Sequence, residues 1–574
     1  MVEFTTAQRK LFESPGGAFI PACPGAGKTQ AMVQRFISQP GRPDRRGLAL
    51  LSFTNAAIFE VEERCARRGH LLKSPNYVGT IDGFINHFVV GPAYKSTMQQ
   101  LPTFRDTWSR SHSGDFQEGA FHYQLDWFAF DAVAGTATLL IERVPGKERS
   151  RFSSAPYGHG KAERRALGIW KRLIATGYID CTQARVLMQQ YLSDAPIRAR
   201  LQGLLQNRFY EIIIDEGQDC SSDDLLLLEF LHSSNINLVM VADFDQAIYE
   251  FRGSDINGVR EFSSRLPQGD RLDDNFRSSP SICRLVDHLR GSGDKDRPAG
   301  PFKDINTPVH LLEVDQLSKV HTRVSEVLKS EGVELDDFIY LAHRTSTARA
   351  CAQAGSSQPS TNNKLVRLGM ATNLVCAPEV NETTKARRDA LVLVQHALRD
   401  LASDDTKGLP DDGFFEAIGE TSRTFTEGCL RIALQLNATE LDPKSYLVTL
   451  KKVLQKQRWN QWADASRLRS PKGSIWPDEV NRVSSGIRWS TVHGFKGLQS
   501  PAVGLAISSK SLPSGDPSGV QLWKDSQHGE PRRVLYVGAS RAQKLLILLA
   551  DRSSYSTIST ILSQSDVPHL LHPK

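Results

Sequence analysis

The residues Ala22 to Thr29, in the order Ala22, Cys23, Pro24, Gly25, Ala26, Gly27, Lys28 and Thr29, follow a short apolar run and open a helix-like stretch. A loop that wraps a phosphate closely needs residues without bulky side chains. Its backbone N–H groups and the following helix N-terminus then meet the negative charge. The segment fits the P-loop pattern, with Ala22 in place of the first glycine. In that pattern Lys28 reaches the β/γ-phosphates and Thr29 ligates Mg²⁺. A second chemically loaded segment, Phe209 to Asp219, is an apolar strand ending in carboxylates. Asp215 is placed to hold Mg²⁺ through water, and Glu216 to orient or deprotonate an attacking water. Phosphoryl transfer asks for little more than metal, positioned water and charge neutralisation.

Such loops need strands to hold them. Short apolar runs occur at Ala18–Ala22, Leu48–Phe53, Glu211–Ile214, Leu238–Ala242, Phe338–Ala342, Val503–Ile507 and Leu545–Leu549. Several end where a loaded loop begins and a helix-like stretch follows. That is the pattern of βα units in a parallel sheet, whose ligands sit beyond the strand C-termini. Two stretches of different texture interrupt it. Phe88 to Arg208 is polar and carries Trp108, Trp127 and Trp170; Thr345 to Ser485 contains helical periods such as Arg388–Leu401 and Ser445–Arg458.

The bulk properties are those of a large soluble globular protein. The chain has 574 residues, 40% hydrophobic and 23% charged, with a net charge of +6 that favours a polyanionic partner only weakly. Its eight cysteines show no CxxC or other close ligand spacing, which argues against a structural zinc or iron–sulfur site. Scattered cysteines, a polar Met1–Lys10 and the lack of a long apolar stretch give a cytoplasmic expectation with no membrane partner.

The order of further motifs resembles that of the superfamily 1A DNA helicases, the UvrD/Rep/PcrA group. Thr6-Ala-Gln8-Arg9 resembles their Q motif, Ser52 to Ala57 motif Ia, and Gly79 to Phe84 motif Ib. Asp215-Glu-Gly-Gln-Asp219 matches the DExQD motif II, and Asp243 to Gly253 resembles motif III. Leu272 to Ser278 resembles motif IV, Thr491 to Leu498 motif V, and Val534 to Ala542 motif VI. The resemblance implies an α/β fold: two RecA-like P-loop domains with parallel sheets, each carrying a mainly helical insertion. The first would take residues 1–88 and 209–268, with 89–208 as a 1B-like insertion. The second would take 269–350 and 486–574, with 351–485 as a 2B-like insertion.

By that resemblance the two domains close over one ATP with Mg²⁺. The first supplies Lys28, Thr29, Asp215, Glu216 and Gln246; the second supplies Arg277 and Arg541 as arginine fingers, which are worth ~10³–10⁵ in rate. Gln8 would read adenine and Phe276 would stack on it. Gln246 would link γ-phosphate sensing to DNA contacts. Phe53, Tyr249 and Phe251 are candidate base-stacking aromatics, and Thr54, Asn55, Thr80, Arg252 and His493 candidate phosphate contacts. Three positions depart from the family pattern. Gln499 stands where a ribose-contacting carboxylate is common, Ala242 where Gly is usual, and Gln30 where Arg is common.

Basic clusters at Arg42/Arg45/Arg46, Arg64/Arg67/Arg68, Lys161/Arg164/Arg165 and Lys451/Lys452/Lys456/Arg458 could add nucleic-acid contacts. The last, followed by Trp459 and Trp462, is the best guess for a duplex. The expectation is an ATP-dependent translocase on single-stranded DNA and on junctions with duplex, with 3′–5′ helicase activity. The alternative is a DNA-sensing ATPase subunit of a nuclease complex, for example in antiviral defence, with little unwinding alone. An inactive ATPase scaffold is disfavoured by the intact Lys28, Glu216, Arg277 and Arg541.

Overall fold

The structure, a computed structural model, describes residues 4–574 apart from 14–15, 39–43, 54, 66–68, 70, 106–114, 132–133, 145, 156–157, 251–252, 291–292, 356–362, 378–383, 408, 410, 437–440, 472–474, 477–479, 481–484 and 509–516. Two parallel sheets organise it. The first contains β1 (Ala18–Pro21), β2 (Gly47–Ser52), β3 (Tyr77–Thr80), β4 (Phe209–Ile214) and β5 (Asn237–Ala242), in the order β1–β5–β4–β2–β3. The second contains β6 (Val309–Glu313), β7 (Phe338–Ala342), β8 (Trp489–Thr491), β9 (Ser500–Ile507), β10 (Ala542–Ala550) and β11 (His569–His572), in the order β8–β7–β9–β10–β6–β11. All seven apolar runs read from the sequence form strands of these two sheets.

Those strands read as apolar runs because helices cover both faces of each sheet. In the first sheet Leu48, Leu50, Ile213, Val239 and Val241 pack with Ala31, Met32 and Phe36 of the helix Lys28–Ser38. Their neighbours Ala49, Leu51, Ile212, Ile214, Leu238 and Met240 pack with Phe84, Val89 and Leu205 on the opposite face. The second sheet divides in the same way. Leu341, Val503, Leu505 and Leu548 face one core, and Tyr340, Ala502, Ile547 and Leu549 the other.

The interrupting stretches fold differently from each other. The first insertion adds two antiparallel hairpins, Asp115–Glu118 with Phe121–Gln124 and Phe128–Asp131 with Thr136–Leu139, to its helices. These surround an aromatic core that includes Phe116, Trp127, Phe152 and Trp170. Trp108 lies outside the described residues. The second insertion is built, among the described residues, of helices such as Lys364–Cys376, Ser422–Gln435 and Pro443–Lys456. Trp459 and Trp462 belong to its core, and Trp459 Nε1 donates to Glu420 Oε1 at 2.7 Å. The basic–aromatic stretch is therefore split: Lys451, Lys452 and Lys456 are exposed, while the rings pack inward.

The helix that follows the phosphate loop is held at its base by a buried ion pair. Arg35 Nε and Nη2 donate to the two oxygens of Glu211 at 2.7 Å each, and Nη2 also donates to Gly16 O at 3.0 Å. Breaking one partner of a buried pair leaves an uncompensated charge and costs about 3–5 kcal/mol. Arg35→Leu is accordingly expected to lower the stability of the first domain by about that amount. Denaturant unfolding, compared with wild type, checks it.

Candidate active site

The C-terminal ends of β1, β4 and β5 bring the loaded loops together. The loop after β1 turns at Gly25 and Gly27, whose φ values of +72° and +67° lie in the left-handed region that glycine adopts at little cost. Gly25 has no room for a side chain, whereas at Gly27 the near obstacle is the movable amide end of Gln8. A Cβ on Gly25 would lie 2.6 Å from both Arg277 Cβ and Asn275 Oδ1, and one on Gly27 would lie 2.9 Å from Gln8 Nε2. The segment that crosses to the second domain lies along this loop: Cys23 N donates to Leu272 O at 2.8 Å, and Phe276 N to Gly25 O at 3.0 Å.

The acidic end of β4 faces the same loop. Thr29 Oγ1 donates to Asp215 Oδ2 at 3.4 Å, and Lys28 Nζ stands 3.7 Å from Glu216 Oε1. Glu216 has φ +55°, a left-handed conformation that costs a non-glycine residue about 1–3 kcal/mol and persists only where its surroundings impose it. Burial works against the Lys28 charge, but Glu216, Asp243 and Asp215 hold its ammonium above the ordinary lysine value. Burial and then the Glu216 charge push Asp215 up. Glu216 also suffers burial, yet Lys28 and then Lys496 hold it well below the usual carboxylate range.

A hydrogen-bonded chain carries this cluster to the second domain. Gln218 Nε2 donates to Glu216, and Asp243 N donates to Gln218 Oε1 at 3.0 Å. Gln246 Nε2 donates to Asp243 Oδ2 at 2.8 Å, and Arg541 Nη2 donates to Gln246 Oε1 at 3.1 Å. Two contacts absent from the sequence reading brace the same loop. Tyr536 Oη donates to Asp243 Oδ2 at 3.0 Å. Lys496 Nζ donates to Asp219 Oδ1 and Oδ2 at 2.7 and 2.6 Å and to Gln246 O at 2.8 Å. Burial pushes Asp219 up to about 6, with Lys496 opposing.

Arg277 donates from Nε to Gln499 Oε1 at 2.9 Å and from Nη1 to Ser540 O at 3.0 Å. Gln499, expected near a ribose, therefore holds the Arg277 guanidinium. Both partners of Arg277 are neutral, so its charge is not cancelled. Burial and then the Arg541 charge lower it to about 9; burial also lowers Arg541. Two guanidiniums and an ammonium stand here beside the carboxylates of Asp215, Glu216 and Asp243, and such cationic donors suit phosphate oxygens. Gln8 lies against the loop, donating from Nε2 to Ala26 O at 2.9 Å and accepting from Thr5 N at 3.0 Å. Phe276 is half-buried beside it.

The sequence-predicted DNA residues are more dispersed. Phe53 packs on the first-domain core. Thr80 accepts from Gly83 N at 3.0 Å and caps the turn after β3. Thr54, Phe251 and Arg252 lie outside the described residues, as does the side chain of Asn55. Tyr249 and His493 do meet across the seam. Their rings are 6.1 Å apart, Tyr249 Oη donates to His493 O at 3.4 Å, and Lys496 Nζ lies 4.6 Å over the Tyr249 ring. His343 adds a ring 5.3 Å from His493. With Arg344 and Thr347 it lines a cavity of about 380 Å³ at the C-terminal ends of the second-sheet strands. The sequence reading missed these residues, although they directly follow the apolar run Phe338–Ala342 and ligands favour strand ends.

Comparison with known proteins decides the family. Residues 4–267 match the UvrD/REP helicase N-terminal domain, and residues 473–553 match the UvrD-like helicase C-terminal domain. The chain belongs to the UvrD-like helicase family. Its sheets are thus those of two RecA-like domains. It is similar to the ATP-dependent DNA helicase PcrA of Staphylococcus aureus, 22% identical over 414 residues, covering 60% of this chain and 55% of that protein. Similarity to YjcD of Bacillus subtilis is 30% over 370 residues, covering 60% of this chain and 46% of that protein. The chain spans about half the length of these curated relatives. Among the described residues no helix is long and apolar enough to cross a membrane.

Gly25→Ala forces a side chain against Arg277 and Asn275 at a left-handed position. It is expected to weaken binding of a fluorescent ATP analogue at least tenfold, about 1.4 kcal/mol. Titration of folded variant against wild type checks this.

Proposed function

We propose that this UvrD-like protein is an ATP-driven translocase on single-stranded DNA with 3′–5′ helicase activity. The observation that carries the proposal is the composite cleft, in which Lys28, Asp215 and Glu216 from one sheet face Arg277 and Arg541 from the other domain. The first RecA-like domain is assigned residues 1–88 and 209–268 and the second 269–350 and 486–574, with insertions at 89–208 and 351–485.

In this reading the loop Ala22–Thr29 wraps the β- and γ-phosphates. Among the described residues no three His, Cys, Asp or Glu side chains converge as a self-contained metal site. The Thr29 hydroxyl beside the Asp215 carboxylate nevertheless fits Mg²⁺, which is usually held by one or two carboxylates together with substrate phosphates. When bound, Mg²⁺ neutralises phosphate charge. Glu216 orients the attacking water and accepts its proton, while Arg277 and Arg541 stabilise charge on the γ-phosphoryl oxygens. Gln8 has one donor and one acceptor position spent on Ala26 and Thr5. The remaining N–H and lone pair match the N7 acceptor and N6–H donor of adenine, whereas guanine offers two acceptors. Phe276 supplies the stacking face.

Strand contacts are assigned to Thr80, Tyr249 and His493, joined by the newly located His343 and Arg344, with Thr54, Asn55, Phe251 and Arg252 retained from sequence. Phe53 is given a packing role on its contacts. Gln246 stands between the two functions, bonded to Arg541 on one side and three residues before Tyr249 on the other.

The test is ATP hydrolysis by the purified chain with and without single-stranded DNA, beside Glu216→Gln. DNA is expected to stimulate hydrolysis, Glu216→Gln to abolish the stimulated rate, and ATP to drive displacement from 3′-tailed but not 5′-tailed duplexes. Stimulated hydrolysis without strand displacement would instead favour the DNA-sensing subunit of a nuclease complex. Hydrolysis indifferent to DNA would contradict both.

A further inference from the structure

Arg185 stands on the helix Cys181–Ser193 near the end of the first insertion, a helix started by the Asp180 side chain accepting from Gln183 N at 2.6 Å. Its Nε and Nη2 donate to Asp82 Oδ1 at 3.2 and 2.9 Å. Its Nη1 donates to Asp224 Oδ1 at 2.8 Å and to Ser221 Oγ at 3.2 Å. Asp82 lies in the short helix Ile81–Phe84 that Thr80 caps. Ser221 and Asp224 form the capping box of the helix Ser222–Ser233, directly downstream of Asp219. Ser221 also bridges to Ser254, and Asp255 N donates to Cys220 O at 2.9 Å. One guanidinium thus ties the turn after β3 to the segment after the acidic end of β4, and through it to the loop that follows Gln246.

The geometry suits transmission of position. The guanidinium is a rigid plane, so bonds from its separate edges fix the two carboxylates relative to each other, which a single ammonium cannot do. Asp224 is buried, whereas Asp82, within the turn assigned to DNA, is half-buried. The other oxygen of Asp224 accepts from Ser221 N and Oγ at 2.8 and 2.7 Å, so the helix cap outlives the loss of Arg185.

We propose that Arg185 is a positioning residue that conveys DNA occupancy from the Thr80 turn to the acidic end of β4. The inference rests on the proposed function. A phosphate held at Thr80 fixes the Ile81–Phe84 turn; Asp82 moves with that turn, and Arg185 passes the constraint to Ser221 and Asp219. The link touches no reacting atom, so it governs stimulation by DNA and not basal hydrolysis.

The test uses the full chain with Arg185→Gln, Asp82→Asn and the double variant. ATP hydrolysis is measured with and without oligo-dT, and thermal unfolding alongside. Basal rates are expected within about twofold of wild type, with stimulation by oligo-dT reduced about fivefold or more. The double variant is expected to do no worse than the worse single, as members of one network do. Arg185→Lys keeps the charge without the bridge and is expected to lose stimulation too, so it decides the matter if Arg185→Gln unfolds. Unchanged stimulation, additive losses, or basal and stimulated rates falling together would overturn the proposal. A wild-type rate indifferent to oligo-dT would overturn the proposed function along with it.

Discussion

Lys28, Arg277 and Arg541 converge on Asp215 and Glu216 in a cleft where Lys28, Asp215 and Arg541 are buried and Glu216 and Arg277 half-buried, and the rest of the molecule is arranged around that concentration of charge. Removing charges from water is expensive unless partners replace it. Here the replacement is drawn from both RecA-like domains. Lys496 of the second neutralises Asp219 of the first, and Tyr536 braces Asp243. Burial and then the Arg541 charge depress Arg277, which is bonded to neutral oxygens only. The Arg277 guanidinium, held by neutral groups, is thereby left for the triphosphate of the proposed function. Gln246 is held by Arg541 at its side chain and by Lys496 at its main chain, so its position depends on where the second domain sits.

The two insertions stand in different relations to this core. The first sends Leu187, Met188, Leu201 and Leu205 into the same apolar cluster as the first sheet, so its closing helices are part of that domain's packing. Among the described residues, the apolar cluster of the second insertion draws on residues between Leu365 and Val480. A body with its own core can move as a unit on its connections, whereas one that shares a core transmits strain.

Much of the frame was legible in the sequence for a physical reason. Strands covered on both faces must be apolar throughout, so Leu48–Phe53 or Val503–Ile507 could be recognised without a partner in view. The phosphate loop was legible because Gly25 and Gly27 meet steric demands that few residues satisfy. What escaped was pairing between distant segments. Nothing in the run Gly497-Leu498-Gln499 says that its amide will hold Arg277, or that Lys496 will reach Asp219. Hairpin strands such as Asp115–Glu118 and Thr136–Leu139 are four residues long, too short for their pattern to stand out from the surrounding polar sequence. Trp459 and Trp462 beside basic residues look like a nucleic-acid surface, but a linear spacing does not say which face of the bundle the rings take. His343 and Arg344 match no phosphate-binding motif, and only their place after a buried strand marks them.

In the proposed cleft, one chain holds both halves of one nucleotide site. The most direct measurement mixes two inactive chains, Lys28→Ala, which lacks the phosphate-loop ammonium, and Arg541→Ala, which lacks the opposing guanidinium, and follows ATP hydrolysis with single-stranded DNA present. The mixture is expected to hydrolyse ATP no faster than the sum of its components, because neither chain carries a complete cleft. Recovery of activity on mixing would mean that the guanidinium is supplied by a second copy, and would overturn a site completed within one chain.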